Sequence, residues 1–533
     1  MEHRRGWILA AVVLGSAVVF LDNTIVNVAL ETIGKELPAT ILGRLEGLTY
    51  VSSGYLAVLA ALLILAGALG DRYGRRRVFG IGLASFGVIS VACGLAPTLE
   101  FLVLARLLQG AAGALLVPGA LAIITACFEG EARGRAIGTW AAATTGVTIL
   151  GPLIGGFLVQ AVSWRVAFLI NVPLVLAGLY ALRYVPESRD ERATGRLDWL
   201  GALVIAIGVG GLAFGATRGQ QEQWQDPIAF VALGIGAIAV VAFPILMRVR
   251  PHPLVPLDLF RSRAFSTINL STLVIYGALY VGFVFQALFL QGTLGYTPFA
   301  AGLAGIPSAL LLTFVSRRSG RLSARIGARP FLVTGPVLMG LGLVYLARIP
   351  ATSEPWLATP GDPSSLIPSM GYLVDWLPGQ LIFGAGLSLL VAPLVTALMS
   401  SVPTRNAGIA SAINNAISRV GSPIVGAALF IVISATFYPT LASLVPGLDV
   451  DDPAFQAKVQ PLAPPDPSVP ADVQTAAQEA STRSFHLAML VAAGLLWSGA
   501  AINAAGLAPA RRREGSVAVL GGPPAAGGPP AEP

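Results

Sequence analysis

Long apolar stretches recur along the whole chain and are separated by short polar segments. Each stretch is long enough, at 1.5 Å per residue, to cross a hydrocarbon core of about 30 Å as a helix. None shows the period-two alternation of a membrane barrel strand. The pattern therefore predicts an all-α integral membrane protein with fourteen transmembrane helices, at 7–30, 48–70, 78–96, 101–127, 136–160, 166–185, 198–217, 227–247, 265–291, 298–316, 330–348, 372–398, 406–436 and 484–507.

The composition excludes a soluble enzyme or receptor domain. Of the 533 residues, 55% are hydrophobic and only 11% are charged, against about 25% charged in a typical soluble domain. The basic N-terminus followed by an apolar run also resembles a secretory signal. Because that run is long and many more follow it, we interpret it as an uncleaved first helix of a multi-pass cell-membrane protein.

Lysine and arginine are divided unevenly between the two sides of the predicted bundle. If the N-terminus is inside, 25 of the 34 fall in inner segments, 7 in outer segments and 2 within spans. Basic residues concentrate in cytoplasmic loops, so this bias predicts that both chain ends lie inside. It also accounts for the net charge of +7 without nucleic acid as a partner.

The segment 67–77 recurs at 320–330, with the same residue at five positions. Both copies follow the second helix of a six-helix set, which indicates an internal duplication. We therefore divide the chain into four parts: an N-terminal six-helix half at 1–190, an inserted two-helix hairpin at 191–250, a C-terminal six-helix half at 251–510 and a disordered inner tail at 511–533.

Two predicted outer loops are long, the Pro- and Ser-rich segment 349–371 and the Pro-rich, acidic segment 437–483. We expect a solvated cap there rather than a metal or sugar site, because chelation needs converging ligands. None of the three histidines falls within the predicted membrane core, and the chain carries no nucleotide-binding loop of the G-x-x-x-x-G-K type. We expect no cofactor, no metal and no enzymatic activity.

Asp22 is the acid that lies farthest from any predicted helix end. A carboxylate at such depth costs on the order of 2.5–3.5 kcal/mol on insertion scales and commonly marks a polar pathway or proton relay. Three roles stay open for it: proton carrier, anchor for a cationic substrate, or structural acid. Arg106 in the fourth span has a comparable depth, so the two residues are expected to pair, either as a proton-coupling unit or as a static ion pair.

Five motifs resemble those of the major facilitator superfamily, and in particular its fourteen-helix drug:proton antiporter branch. They occur in order at the corresponding helices: Leu21-Asp22-x-Thr24-Ile25-Val26-Asn27-Val28-Ala29-Leu30, Gly67-x-Leu69-x-Asp71-Arg72-x-Gly74-Arg75-Arg76-Arg77, Arg106-x-x-Gln109-Gly110, Gly146-x-x-x-x-Gly151-Pro152-x-x-Gly155-Gly156 and Trp164-Arg165-x-x-Phe168-x-Ile170-Asn171-x-Pro173. Two positions depart from the branch, because Tyr50 replaces a Trp and Glu31 a Pro at the outer gate.

The resemblance implies a proton-coupled secondary antiporter that exports amphipathic, cationic drugs or toxic compounds by alternating access. An exporter of a lipid or an endogenous metabolite with the same fold is the alternative. Protons, a small-molecule substrate and the lipid bilayer would be its partners, and we expect a monomer. Asp22 and Arg106 would couple protons to transport.

Two further motifs acquire roles through the same resemblance. The inner loop would latch the outward-open state, with Asp71 at a helix N-terminus of the other half, and its residues are Gly67, Asp71, Arg72, Gly74, Arg75 and Arg76. The fifth-span motif is typical of exporters, and as a physical signal its small residues predict close helix packing; its residues are Gly146, Gly151, Pro152, Gly155 and Gly156.

Other polar and aromatic groups within the spans are candidates for a substrate cavity. Interhelical hydrogen bonding or packing is the alternative role for most of them. For one of them, Arg419, the alternative is that its long side chain extends to the inner surface. The candidates are Asn23, Asn27, Gln109, Tyr276, Gln286 and Arg419.

Overall fold

The computed structural model of the protein describes residues 2–40, 47–48, 50–190, 197–221, 226–359 and 361–507. These residues form helices and no strand. The principal helices are α1 Glu2–Glu36, α2 Tyr55–Tyr73, α3 Arg75–Gly94, α4 Leu99–Cys127, α5 Gly130–Ala161, α6 Val166–Leu182, α7 Trp199–Gln221, α8 Pro227–Val249, α9 Arg263–Leu288, α10 Ile306–Ile326, α11 Arg329–Leu346, α12 Leu377–Ser400, α13 Ala407–Leu444 and α14 Ala471–Gly506. Shorter helical segments are Tyr50–Gly54, Leu257–Arg261, Phe289–Thr293, Pro298–Ala304, Pro363–Leu366, Tyr372–Trp376, Thr404–Asn406 and Pro453–Lys458.

Every predicted span coincides with one of these helices, but not every helix has the length and apolar composition of a membrane span. Among the described residues, twelve helices are long and apolar enough to cross a membrane. The fifth and sixth predicted spans coincide with α5 and α6, which are not among the twelve; α6 is a shorter apolar helix. The count of fourteen spans and the inside position of both ends stay predictions, and the predicted tail at 511–533 lies outside the described residues.

Helices α1 to α6 pack on one another, and so do α9 to α14. The two sets meet along two long contacts, α2 with α13 and α5 with α10. Both contacts use glycine. A Cβ on Gly67 of α2 would lie 2.5 Å from the carbonyl oxygen of Gly408 on α13, and a Cβ on Gly134 of α5 would lie about as close to the carbonyl oxygen of Gly320 on α10. Because no side chain separates the backbones, the sets touch closely at these points.

The α7–α8 hairpin lies beside this bundle. Its two helices approach each other through Gly208, Gly211 and Gly236, and α7 contacts α2 and α13. The outer helix α8 is only 17% buried over its most apolar window. In a membrane protein such an exposed apolar surface faces lipid.

The predicted outer cap is more than a solvated loop. Helices α13 and α14 contain 38 and 36 residues, well beyond the roughly 20 that cross a bilayer. Between them, Phe437, Leu441 and Val459 are buried in a small apolar cluster of the cap. The segment 437–483 therefore combines solvent-exposed residues with an apolar cluster that packs against the helix ends.

We predict that Gly342→Ala lowers the midpoint of thermal unfolding in detergent, followed by tryptophan fluorescence. A Cβ on Gly342 would lie 2.7 Å from backbone atoms of Gly379 and Phe383 on α12, and backbone cannot rotate away. Overpacking of this kind costs about 1–3 kcal/mol. Gly494→Ala is the control, since nothing lies within 4 Å of its Cβ, and equal midpoints for the two variants would contradict the prediction.

Candidate functional site

Asp22 lies fully buried in α1 and is held by three side chains from two other helices. Arg106 of α4 forms an ion pair with it, with Nη1 2.5 Å from Oδ2. Gln109 Nε2 and Asn171 Nδ2 donate to the other carboxylate oxygen, Oδ1, over 3.1 and 2.9 Å. Because both oxygens accept hydrogen bonds, the carboxylate is fully partnered without water.

A second set of contacts fixes these partners. Gln109 and Asn171 both donate to the Ser90 hydroxyl on α3, over 3.2 and 2.9 Å. Ser90 in turn donates to the carbonyl oxygen of Phe168 on α6. The site therefore joins α1, α3, α4 and α6 in one network, and a change of charge at Asp22 alters hydrogen bonds on all four helices.

The guanidinium of Arg106 has further partners, and one of its nitrogens has none. Its Nε donates to the carbonyl oxygen of Val51 and its Nη1 to Oε1 of Gln109, over 3.0 and 2.7 Å. The Tyr55 ring lies against it, with Cζ 4.0 Å from the ring centroid. Among the described residues, the buried Nη2 has no hydrogen-bond partner. Arg106 is thus held in place but keeps one donor available.

Sequence reasoning missed two members of this network, Ser90 and Asn171. Asn171 lies within one of the five motifs, in which an amide at the start of a helical segment was a visible but unused signal. Ser90 offered no signal, since single serines in apolar helices are common. Both are fully buried.

The candidate cavity residues do not form one cluster. Gln109 belongs to the Asp22 network, and its place in a substrate cavity stays a prediction. Gln286 is buried on α9, where the amide of Gln380 on α12 donates to it. Asn23, Tyr276 and Arg419 are half-buried on α1, α9 and α13, and the side chain of Asn27 lies outside the described residues.

A second charged site lies where the end of α2 meets the first turn of α13. The carboxylate of Asp71, near the end of α2, accepts hydrogen bonds from the backbone N–H groups of Gly408 and Ile409 in the first turn of α13, over 3.0 and 2.8 Å. Arg75 donates to the same carboxylate and to the carbonyl oxygens of Thr404 and Arg405. A carboxylate at a helix N-terminus is stabilised by the free N–H groups and the helix dipole.

The chain after α6 completes this second site. Glu187 accepts hydrogen bonds from the backbone N–H groups of Arg76 and Arg77 at the start of α3, over 3.0 and 3.1 Å. The N–H of Asp190 donates to the carbonyl oxygen of Asp71 over 2.7 Å. Sequence reasoning missed Glu187, which lies far away in the chain. Gly74, with φ of +107°, makes the turn beside it, and Arg72 lies over the ring of Tyr73.

The repeated loop forms a matching contact between the same two sets of helices. Arg325, which corresponds to Arg72, pairs with Glu131 at the start of α5, with atoms 2.5 and 3.0 Å apart. The hydrogen bond from Arg325 lowers the pKa of the exposed Glu131 carboxyl. Gly327 in this copy also has positive φ, +90°. An ionic contact beside a glycine contact therefore joins the two sets of helices at both places, between α2 and α13 and between α5 and α10.

The fifth-span motif behaves as expected in part. A Cβ on Gly151 or Gly155 would collide with Thr24 or Ile25 of α1, so these glycines let α5 approach α1 next to Asp22. Gly146 has nothing within 4 Å, which contradicts its predicted packing role. Pro152 and Gly156 also belong to α5, and their surroundings are outside what the structure describes.

Comparison with known proteins gives concordant results. The sequence model of the Major Facilitator Superfamily matches residues 12–426. The chain is 35% identical over 444 residues to the multidrug resistance protein Stp of Mycobacterium tuberculosis, covering 82% of this chain and 78% of Stp. It is 31% identical to the tetracenomycin C resistance and export protein of Streptomyces glaucescens, covering 80% of this chain and 76% of that protein.

A solved structure shares the fold. The proton:xylose symporter XylE superposes with a TM-score of 0.58 at 16% identity, covering 93% of this chain and 96% of that one. At this identity the likeness concerns the fold alone.

We predict that Arg106→Gln destabilises the protein more than the double change Asp22→Asn with Arg106→Gln. The single change leaves Asp22 buried without a cation, a loss of about 3–5 kcal/mol, whereas the double change removes the stranded charge. Thermal unfolding of the purified variants measures the difference. The prediction fails if the losses of stability in Asp22→Asn and in Arg106→Gln simply add up to the loss in the double variant, because the pair then has no coupling energy.

Proposed function

The chain belongs to the Major Facilitator Superfamily, and from this premise we propose that it is a proton-coupled antiporter that exports amphipathic compounds across the cell membrane. Relatives that confer drug and antibiotic resistance support the direction of transport. Alternating access moves the two helix sets against each other around a substrate between them. The chain acts as a monomer, without nucleic acid.

The observation that carries proton coupling is the buried network around Asp22. A carboxylate that is fully partnered yet fully buried gains or loses a proton only with a rearrangement of its neighbours. When Asp22 takes a proton, Arg106 loses its counter-charge, and Gln109 and Asn171 lose a charged acceptor. Proton uptake at one atom thereby loosens contacts among α1, α3, α4 and α6.

The motion has a structural route from this network to the rest of the protein. Gly151 and Gly155 seat α5 on α1 within one turn of Asp22, and the opposite end of α5 carries Glu131, which pairs with Arg325 of the second helix set. A shift of α1 against α5 is therefore felt at the contact between the sets.

We assign the division of the chain to the same mechanism. Residues 1–190 and 251–510 are the two moving halves, 191–250 is the inserted hairpin that brings the spans to fourteen, and both chain ends lie inside. The separate packing of α1 to α6 and α9 to α14 supports this division. With the basic loops inside, the contacts of Asp71 and Arg325 close the inner face, which corresponds to an outward-facing state.

One of the three open roles for Asp22 was that of an anchor for a cationic substrate. Both carboxylate oxygens of Asp22 are occupied by protein donors, so this carboxylate is not free to bind a cation in the outward-facing state. The alternative is an exporter of a lipid or an endogenous metabolite, and a relative named for tetracenomycin C resistance and export supports export of a defined compound.

We predict that Asp22→Asn abolishes export driven by a pH gradient in proteoliposomes loaded with fluorescent amphipathic dyes, while the protein stays folded. The amide keeps most of the shape and hydrogen bonding of the carboxyl group but cannot exchange the proton. Asp198→Asn is the control, since Asp198 is also a buried aspartate paired with an arginine, Arg250, but lies in the hairpin. Normal gradient-driven export by the Asp22 variant would refute proton coupling through this residue.

We predict that Asp71→Asn shifts the protein toward the inward-facing state. The change removes the charge that two N–H groups of α13 and the Arg75 guanidinium share, and hydrogen bonds to charged groups contribute about 1.5–3 kcal/mol. Double electron–electron resonance between spin labels at the exposed positions 77 and 318 should show a longer distance in this variant than in the wild type. Asp258→Asn, which breaks an exposed inner ion pair, should leave the distance unchanged; the same distance in both variants would contradict the latch.

A further inference from the structure

Arg419 is a cation about a third of the way along α13. It lies twelve residues after Ala407, the first residue of this helix, which places it about 18 Å along the axis at 1.5 Å per residue. It is half-buried, and no described carboxylate lies within ion-pair distance of it. A charge at this depth is expensive unless it faces a cavity or a partner.

The register of α13 shows which way this residue points. Gly408, Ala412, Asn415 and Arg419 follow one another at spacings of four, three and four, so they share one face of the helix. Gly408 and Ala412 on this face contact Gly67 of α2. Arg419 therefore lies on the side of α13 that faces α2, in the seam between the two helix sets.

Tyr55 occupies the same level of α2. It lies twelve residues from Gly67 along α2, and Arg419 lies eleven residues from Gly408 along α13, so both are about the same distance from the glycine contact. The Tyr55 ring lies against Arg106, and its hydroxyl lies 3.4 Å from the Cβ position of Gly113 on α4, so this side chain points into the N-terminal set of helices and leaves the seam to Arg419. The Tyr55 hydroxyl is fully buried and has no hydrogen-bond partner among the described residues.

The charges around this position are unbalanced. Asp22 and Arg106 neutralise each other behind the Tyr55 ring, so Arg419 leaves the seam with one net positive charge. Arg419 supplies hydrogen-bond donors, and its guanidinium matches the geometry of a carboxylate or phosphate. In a low-dielectric environment this arrangement attracts an anion and repels a cation.

We propose that Arg419 recognises the anionic group of the transported amphipathic compound. The group is a carboxylate, phenolate or phosphate, carried by a free compound or by a lipid. This inference rests on the proposed export function and specifies its substrate class as anionic or zwitterionic.

The test is probe binding to the full-length protein in vesicles. The probes are dansyl-tagged undecanoate, an anion, and the dansyl-tagged undecyl trimethylammonium cation, which differ in the charged group alone. Arg419→Gln should weaken binding of the anion roughly tenfold or more, the usual effect of losing one charge-assisted hydrogen bond, and should not weaken binding of the cation. Arg419→Lys should restore part of the anion affinity.

Arg248→Gln is the matched control, because it removes one exposed positive charge at the end of α8 and should leave both affinities unchanged. Vesicles with and without phosphatidylglycerol distinguish the source of the anionic group. If a lipid phosphate occupies the site, this lipid competes with the anionic probe in the wild type and not in Arg419→Gln; if a free compound does, it has no such effect. Either result supports the site.

Equal anion affinity of Arg419→Gln and wild type in both vesicle types would overturn the inference, provided that the unfolding midpoints agree. The proposed export function is judged separately. If Asp22→Asn still abolishes gradient-driven export, that function stands although the anion site has failed. If export in Asp22→Asn is normal while Arg419→Gln loses anion binding, the binding site stands without the proton mechanism.

Discussion

Two opposite charges buried together away from water constrain the whole N-terminal set of helices. Burial of either ion alone would cost several kcal/mol in lost hydration. Asp22 and Arg106 are tolerated because each neutralises the charge of the other. The remaining capacity of the carboxylate is filled by Gln109 and Asn171. The network therefore holds four helices in one arrangement while Asp22 is ionised, and in the proposed mechanism protonation of Asp22 releases this arrangement.

The contacts that close the basic face depend on a different constraint, the approach of backbones. Gly67 with Gly408 and Gly134 with Gly320 bring the two helix sets together without side chains between them. The charged contacts of Asp71 and Glu131 can form only once this approach is made. Glu187 lies in the segment that leads into the hairpin and bonds to the start of α3. The inserted hairpin is therefore connected to the same face on which Asp71 contacts α13.

Sequence reasoning located what depends on periodicity and on rare residues. The apolar runs predicted helices at all fourteen positions, and Asp22 and Arg106 stood out because charges are rare at such depth. It could not locate Ser90 or Glu187, because their roles arise from helices distant in the chain that meet in space. It did not foresee that Gln109 bonds directly to Asp22, since direction around a helix axis is set by packing, and it gave Gly146 a packing role although the space beside it is open.

The central claim is that Asp22 holds the proton that is exchanged for substrate. Proton release into a weakly buffered detergent solution, followed with an indicator dye when a transported compound is added to the purified protein, tests this claim most directly. The account predicts a release that is saturable, approaches one proton per protein molecule and disappears when Asp22 is replaced by asparagine. Binding of the compound without proton release, or the same release from the variant, would contradict it.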